Sequence, residues 1–204
     1  MRNGKEMWPL CFMRPSYTDR FANEKPEMHV EAGGPGPICW AMEKALIIGA
    51  SGGIGSAVAA ALRQRGVAVA TRSRRADGLD ITNEASVAQA MAGLQGPFDL
   101  VLVASGALEI DGQAPEKSLR QIDAQAMAAQ FALNCIGPAL VLKHALPLMP
   151  RTGRCVFAAL SARVGSIGDN RLGGWVSYRA AKAALNQVIH TGAIELARSH
   201  KGAI

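Results

Sequence analysis

From residue 44 onward, short apolar runs alternate with longer stretches whose apolar positions recur every three or four residues. The run "KALII" at 44–48 reads as a strand. Behind it, "GIGSAVAAALRQRG" reads as a helix with an apolar stripe of Ile54, Val58, Ala61 and Leu62, ended by Gly66. "VAVAT" predicts a second strand, and Thr82 is placed to cap a helix in "NEASVAQAMAGL". "FDLVLVAS" predicts a third strand, residues 123–149 a long helix broken near Gly137 and Pro138, and "GRCVFAAL" a fourth strand. "WVSYRAAKAALNQVIHTGAIELARSH" predicts the final helix. Strands spaced by helices of this length imply right-handed β-α-β units, hence an α/β fold with a doubly wound parallel sheet in one domain. No internal repeat interrupts the pattern.

Residues 1–42 do not follow it. They carry five basic and five acidic residues, lack any period and end in the breaker-rich "AGGPGPICWAM". We read them as a disordered tail, or as residues ahead of a start assigned too early, since Met42 opens "MEKALIIGASGGIG". The folded domain is then residues 43–204. With 204 residues, 49% of them hydrophobic, the chain can bury one sizeable core.

Charge changes the picture little. The net charge of +6 would suit an anionic partner, but charged residues make up only 19% and the basic ones are scattered, "RSRR" at 72–75 apart. No aromatic platform accompanies them, so no nucleic-acid partner is expected. Four cysteines show no metal-ligand spacing, and Cys135 and Cys155 lie in apolar runs, which fits reduced thiols, a cytoplasmic setting and no metal. No apolar run reaches the roughly 18 residues of a membrane span, and no leader pattern opens the chain. A soluble protein without membrane contact is expected.

Two patterns carry chemistry. In "GASGGIGSA", Gly49 permits a tight turn at a strand end, Gly53 a close backbone approach to a pyrophosphate, and Gly55 packing of the helix start on the sheet. The same glycines would also serve packing alone. A phosphate loop of the nucleoside triphosphatases needs Lys after the last glycine, where this chain has Ser56. In "SYRAAKAAL", Tyr178 and Lys182 are four apart and share a helix face. An ammonium beside a phenol lowers the phenol's pKa and makes it a usable acid or base near neutrality. An exposed pair on an amphipathic helix has the same spacing.

Together, "GASGGIG", "LDIT" (79–82), "VASG" (103–106), "LNCIGP" and "SYRAAK" resemble, in order and spacing, the short-chain dehydrogenase/reductase family, from about Met42 to Ile204. The segment "SARVGSIGDNRLGGWVSYRAAKAALN" is most similar to the subgroup of the C-factor signalling protein and the sniffer-type carbonyl reductases. The resemblance implies a Rossmann-type sheet and hydride transfer between a nicotinamide cofactor and a small-molecule carbonyl or secondary alcohol. It places the cofactor on Gly49, Ser51, Gly53, Ile54, Gly55, Asp80 (at the adenine), Ala104 and Gly106. Tyr178 would protonate the carbonyl oxygen, Lys182 lower the Tyr178 pKa and bind the ribose, and Asn134 serve a proton relay.

The serine departs from the family pattern, which supplies its hydroxyl from the second position of Ser-Ser or Gly-Ser. Aligning on "RVGSI" puts Ser161 first and Ala162 second, so Ser161 is the candidate and Ser166 the alternative. "TRSRR" has no acid before Asp77 to grip a ribose 2′-hydroxyl, which predicts NADP over NAD, held by Arg72 and by Arg74 or Arg75. The family's closing loop and last strands are not found after "ELARSHKGAI", so the expectation is a fragment whose sheet stops at "CVFAA" with an open edge that favours homo-oligomers. The competing function is a nucleotide-binding signalling or scaffold protein that does little chemistry.

Overall fold

A computed structural model describes residues 42–204; the expectations for residues 1–41, including the tail, fall outside the described residues. Four strands form one parallel sheet in the order β2-β1-β3-β4: β1 (Lys44–Ile48), β2 (Ala68–Arg72), β3 (Leu100–Val103) and β4 (Val156–Ala159). The helices are α1 (Gly53–Gln64), α2 (Arg74–Asp77), α3 (Glu84–Ala92), α4 (Ala124–Phe131), α5 (Gly137–Ala145) and α6 (Val176–Ser199). All four predicted strands are present, and the α/β parallel fold holds.

Both faces of the sheet are covered, as the unbroken apolar run at 45–48 of β1 requires. Leu46 and Ile48 join Val87 and Met91 of α3, Val101 and Val103 of β3, and Val141 and Ala145 of α5 in the larger core. Ala45 and Ile47 face the other way, with Leu102 and Ala59 of α1. Register brings the carboxyl ends level: Ile48 pairs with both Arg72 and Val103, and Val103 with Ala159. Each loop that follows therefore leaves from one edge of the sheet, where ligands of open parallel sheets bind.

Three sequence expectations about the fold need correction. The helix over 123–149 is not broken at Gly137–Pro138. Phe131, Ala132, Ile136 and Gly137 all keep right-handed helical dihedrals, and the chain runs through one π-helical segment, Ala132–Ile136, into α5. The wider turn absorbs the missing N–H and the ring of Pro138, which a regular helix would meet as a clash. A Cβ at Gly137 would lie 2.8 Å from the Ile81 side chain, so glycine there seats α5 against the 79–82 segment. The run Ala124–Leu148 is also long and apolar enough, by length and a mean hydropathy of 1.3, to cross a membrane, contrary to the expectation that none would be. In this fold it contributes Val141 and Ala145 to the core and buries its polar Gln130 and Asn134 with partners.

The third correction concerns the edge of β4. Residues 202–204 pair with it in parallel: Cys155 N–H donates to Gly202, Phe157 N–H to Ile204, and Ile204 N–H to the Cys155 carbonyl. The amino-terminal half of that edge is thus occupied rather than open.

Candidate active site

Gly49 turns the chain out of β1 in the left-handed region (φ +85°), its N–H bonded to the Arg72 carbonyl at 2.7 Å. A Cβ there would sit 2.7 Å from Ser105 Oγ and 2.9 Å from its backbone nitrogen, so the turn lies hard against the end of β3. Gly55 is buried in the first turn of α1, where a side chain would run into the Gly49 carbonyl. Nothing lies within 4 Å of a Cβ on Gly53, and Ser51 and Ile54 are exposed. Gly52 caps α1 without a side chain and no acid stands in the first turn. The first-turn N–H groups and the positive helix end are therefore available to an anion, as a pyrophosphate requires.

A second cluster meets around Gly106, just past β3 (φ +151°), with Ala104 between them bonded through its N–H to Ile48. A Cβ on Gly106 would stand 2.9 Å from Asn134 Oδ1 and 3.3 Å from Lys182 Nζ. Asn134, fully buried in the π segment, donates through Nδ2 to the Ala107 carbonyl (2.9 Å) and to Gln130 Oε1 (2.7 Å), and accepts from Ala107 N–H (3.2 Å). Gln130 in turn donates to the Leu108 carbonyl at 2.8 Å. Every polar atom of the Asn134 side chain is engaged, so this amide fixes the loop after β3.

Lys182 is 3% exposed and its ammonium donates to the Leu160 carbonyl at 2.8 Å. Burial pushes its pKa down, opposed by the nearby Cys135. Tyr178 lies one turn away, half-buried, with Lys182 Nζ 5.7 Å from its ring centre. Its hydroxyl makes no hydrogen bond among the described residues. Burial raises the phenol pKa, the opposite of the sequence expectation, because the ammonium is turned to Leu160 and no nearer to the ring. Ser161 Oγ donates to Asn186 Oδ1 at 2.6 Å, and Ser166 Oγ accepts from Asp169 N–H at 3.3 Å. Neither serine bonds to Tyr178.

At the end of β2, Arg72 donates to the Thr71 and Ala90 carbonyls at 3.0 and 3.3 Å. Ser73 caps α2, whose single turn folds Asp77 back so that its carboxylate accepts from Ser73 N–H at 2.8 Å and lies 3.8 Å from Arg72. An acid five positions on in sequence thus returns to the strand end. Arg74 and Arg75 are exposed. Asp80, also exposed, turns one carboxylate oxygen onto Thr82 N–H (2.9 Å) and Oγ1 (2.7 Å), and these bonds with the charge of Arg74 hold its pKa low.

Residues 163–175 form the rim. Arg163 and Asp169 form a two-pronged pair at 2.6 and 3.3 Å. Arg179 donates to the Gly174 and Val164 carbonyls, tying both ends of the loop to α6. Trp175 meets the Tyr178 ring edge-on, centres 6.5 Å apart. Sequence reasoning missed Gln130 and Arg179. The first shares with Asn134 the same i, i+4 spacing that singled out Tyr178 and Lys182; the second carries no pattern, since its partners are backbone carbonyls.

These groups define a nucleotide cradle beside a Tyr–Lys pair on one sheet edge. A family profile described as enoyl-(acyl carrier protein) reductase matches residues 49–201. A Rhodococcus 1-hydroxy-2-glutathionyl-2-methyl-3-butene dehydrogenase is 30% identical over 162 residues, 72% of this chain and 68% of that protein. Carbonyl reductase Sniffer of Drosophila melanogaster superposes with a TM-score of 0.66 at 21% identity, covering 78% of this chain and 77% of its own. A short-chain dehydrogenase/reductase from Burkholderia multivorans with bound NADP gives 0.66 at 24%, covering 79% and 76%. The chain belongs to the short-chain dehydrogenase/reductase family and is an oxidoreductase of that type.

Proposed function

We propose that the protein is an NADP-dependent carbonyl reductase or alcohol dehydrogenase acting on a small molecule, with Tyr178 as its general acid and base. The observation that carries this is the convergence of Tyr178, Lys182, Asn134 and Gly106 beside the glycine turn. When bound, the nicotinamide supplies or takes up hydride at the carbonyl carbon. Gly49, Ser51, Gly53, Ile54 and Gly55 would hold the pyrophosphate on the open end of α1, Ala104 and Gly106 would line the cofactor, and Asp80 would face the adenine. Lys182 would hold the ribose and keep a positive charge beside the Tyr178 ring. A half-buried phenol with a raised pKa stays protonated at neutral pH and has its proton ready for an oxygen that gains negative charge.

Ser161 is the proposed anchor of the substrate oxygen. Its hydroxyl, now donating to Asn186, would turn to the substrate. Asn134 contributes to the relay by holding Ala107 and the π segment in place rather than by moving protons through its amide. Arg72, with Arg74 or Arg75, would take the 2′-phosphate; Asp77 returns to the strand end, and Ser73 and Arg72 already occupy it. The NADP bound by the Burkholderia neighbour supports this choice of cofactor. The free thiols of Cys135 and Cys155 agree with a soluble cytoplasmic protein, and a homo-oligomer with residues 1–42 outside the catalytic domain completes the reading.

Replacing Tyr178 by Phe tests it. NADPH oxidation with a panel of aldehydes and ketones should fall by about 10²- to 10⁴-fold, the usual worth of a placed proton donor, while NADPH affinity by calorimetry stays within about twofold. Undiminished turnover in the Phe variant would remove Tyr178 from the chemistry.

A further inference from the structure

Helix α6 delivers both Tyr178 and Lys182, yet it begins without a capping side chain of its own, and Trp175 at its start is held in the left-handed region (φ +50°, ψ +41°). For a residue with a large side chain this conformation is strained and persists only where its surroundings enforce it. The enforcing contact comes from Glu116, 61 residues upstream of Ser177. The Glu116 carbonyl accepts from Trp175 N–H at 2.5 Å, and its carboxylate accepts from Ser177 N–H at 3.3 Å and from the Ser177 hydroxyl. Glu116 and Ser177 are 8% and 1% exposed. A Cβ on Gly174 would lie 3.5 Å from the Glu116 carbonyl, which shows how close the two backbones run. The clasp is itself braced, since Lys117 N–H donates to Gln121 Oε1 at 2.8 Å.

We propose that Glu116 is a positioning residue for Tyr178. It substitutes for the missing cap, bonding the residues on either side of Val176 so that the first turn of α6 can leave the rim loop in one direction only. An ionised carboxylate at the positive end of a helix also interacts favourably with the helix dipole. Burial pushes its pKa up, but the bonds from the Ser177 side chain and backbone prevail, so it is held ionised. Because Tyr178 follows Ser177 directly, releasing the clasp lets its phenol drift relative to Gly106 and Lys182. A displacement of about 1 Å in a catalytic group costs on the order of 100-fold in rate.

The inference rests on Tyr178 being the acid, so the test reads its placement separately from turnover. The chain contains two tyrosines, so a fluorotyrosine-labelled protein gives two fluorine resonances, and Tyr178→Phe assigns the one that matters. In Glu116→Ala, the Tyr178 resonance should shift or broaden. Turnover of the aldehyde and ketone panel should fall about 10- to 100-fold in kcat, with KM and NADPH affinity within about twofold. Glu116→Gln, which keeps one acceptor, should recover part of both, and Ser177→Ala should reproduce the partial defect. If the Ala variant does not fold, the Gln and Ser177 variants carry the test. An unmoved Tyr178 resonance, or a rate loss matched by the fraction unfolded, overturns the proposal. Undiminished turnover in Tyr178→Phe overturns the chemistry instead and leaves the resonance to decide the clasp.

Discussion

Single residues set the geometry here mostly by what they lack. Gly106 leaves room for Asn134 Oδ1 and Lys182 Nζ at one point, so Gly106→Ala should push them apart and strain a backbone at φ +151°. Destabilisation of about 1–3 kcal/mol is expected from overpacking of this kind, visible in a urea midpoint, with weaker NADPH binding alongside. Arg72 poses a different question. Its guanidinium is tied to two carbonyls and to Asp77, and only a phosphate would draw it away. Arg72→Ala should weaken NADP about tenfold or more, the worth of one charged hydrogen bond, and leave NAD affinity nearly unchanged. Equal losses for both would assign Arg72 to the fold alone. The sequence showed Arg72 at a strand end and Asp77 five positions on, but not that a four-residue helix turn brings Asp77 back to that end.

Among the elements, the π segment and the rim loop were the least legible. Pro138 after Gly137 reads locally as a break, yet the helix continues through a wider turn with Gly137 seated against Ile81. The strands were readable as short apolar runs buried on both faces, and α1, α3 and α6 as helical spacing with one packed face. The Tyr178–Lys182 pair was readable for the same reason, as fixed helical spacing. What spacing cannot give is direction, and so the turn of Lys182 toward Leu160 and the engagement of Ser161 by Asn186 came only with the fold. The rim depends on Arg179, which joins Gly174 and Val164 to α6. Arg179→Ala should loosen residues 163–175 with little global effect: faster amide exchange confined to the rim, and a higher KM for the carbonyl substrate at unchanged NADPH affinity. Exchange spreading into β1 or β3 would place Arg179 in the core stability instead.

Across the whole molecule, two buried charges shape stability against pH in the same direction. Glu116 has its folded pKa below the ordinary 4.5, so its contribution is full above that value and lost as pH falls through the lowered folded value. Lys182 has its folded pKa below 10.5; between that lowered value and 10.5 the unfolded chain binds more protons, and stability rises with pH. Urea midpoints should fall at the acid end, less so in Glu116→Gln, and gain at the alkaline end a rise that Lys182→Gln lacks. The strand order carries a consequence for how the molecule is made. β2 pairs with β1, β3 takes the other side of β1, β4 takes β3, and residues 202–204 then meet β4. Among the described strands none has to be inserted between two already joined, so on the ribosome this sheet can grow by addition at an edge in the order of translation. The glycine turn is complete once β3 emerges, while the helix bearing Tyr178 and Lys182 arrives after every strand it serves.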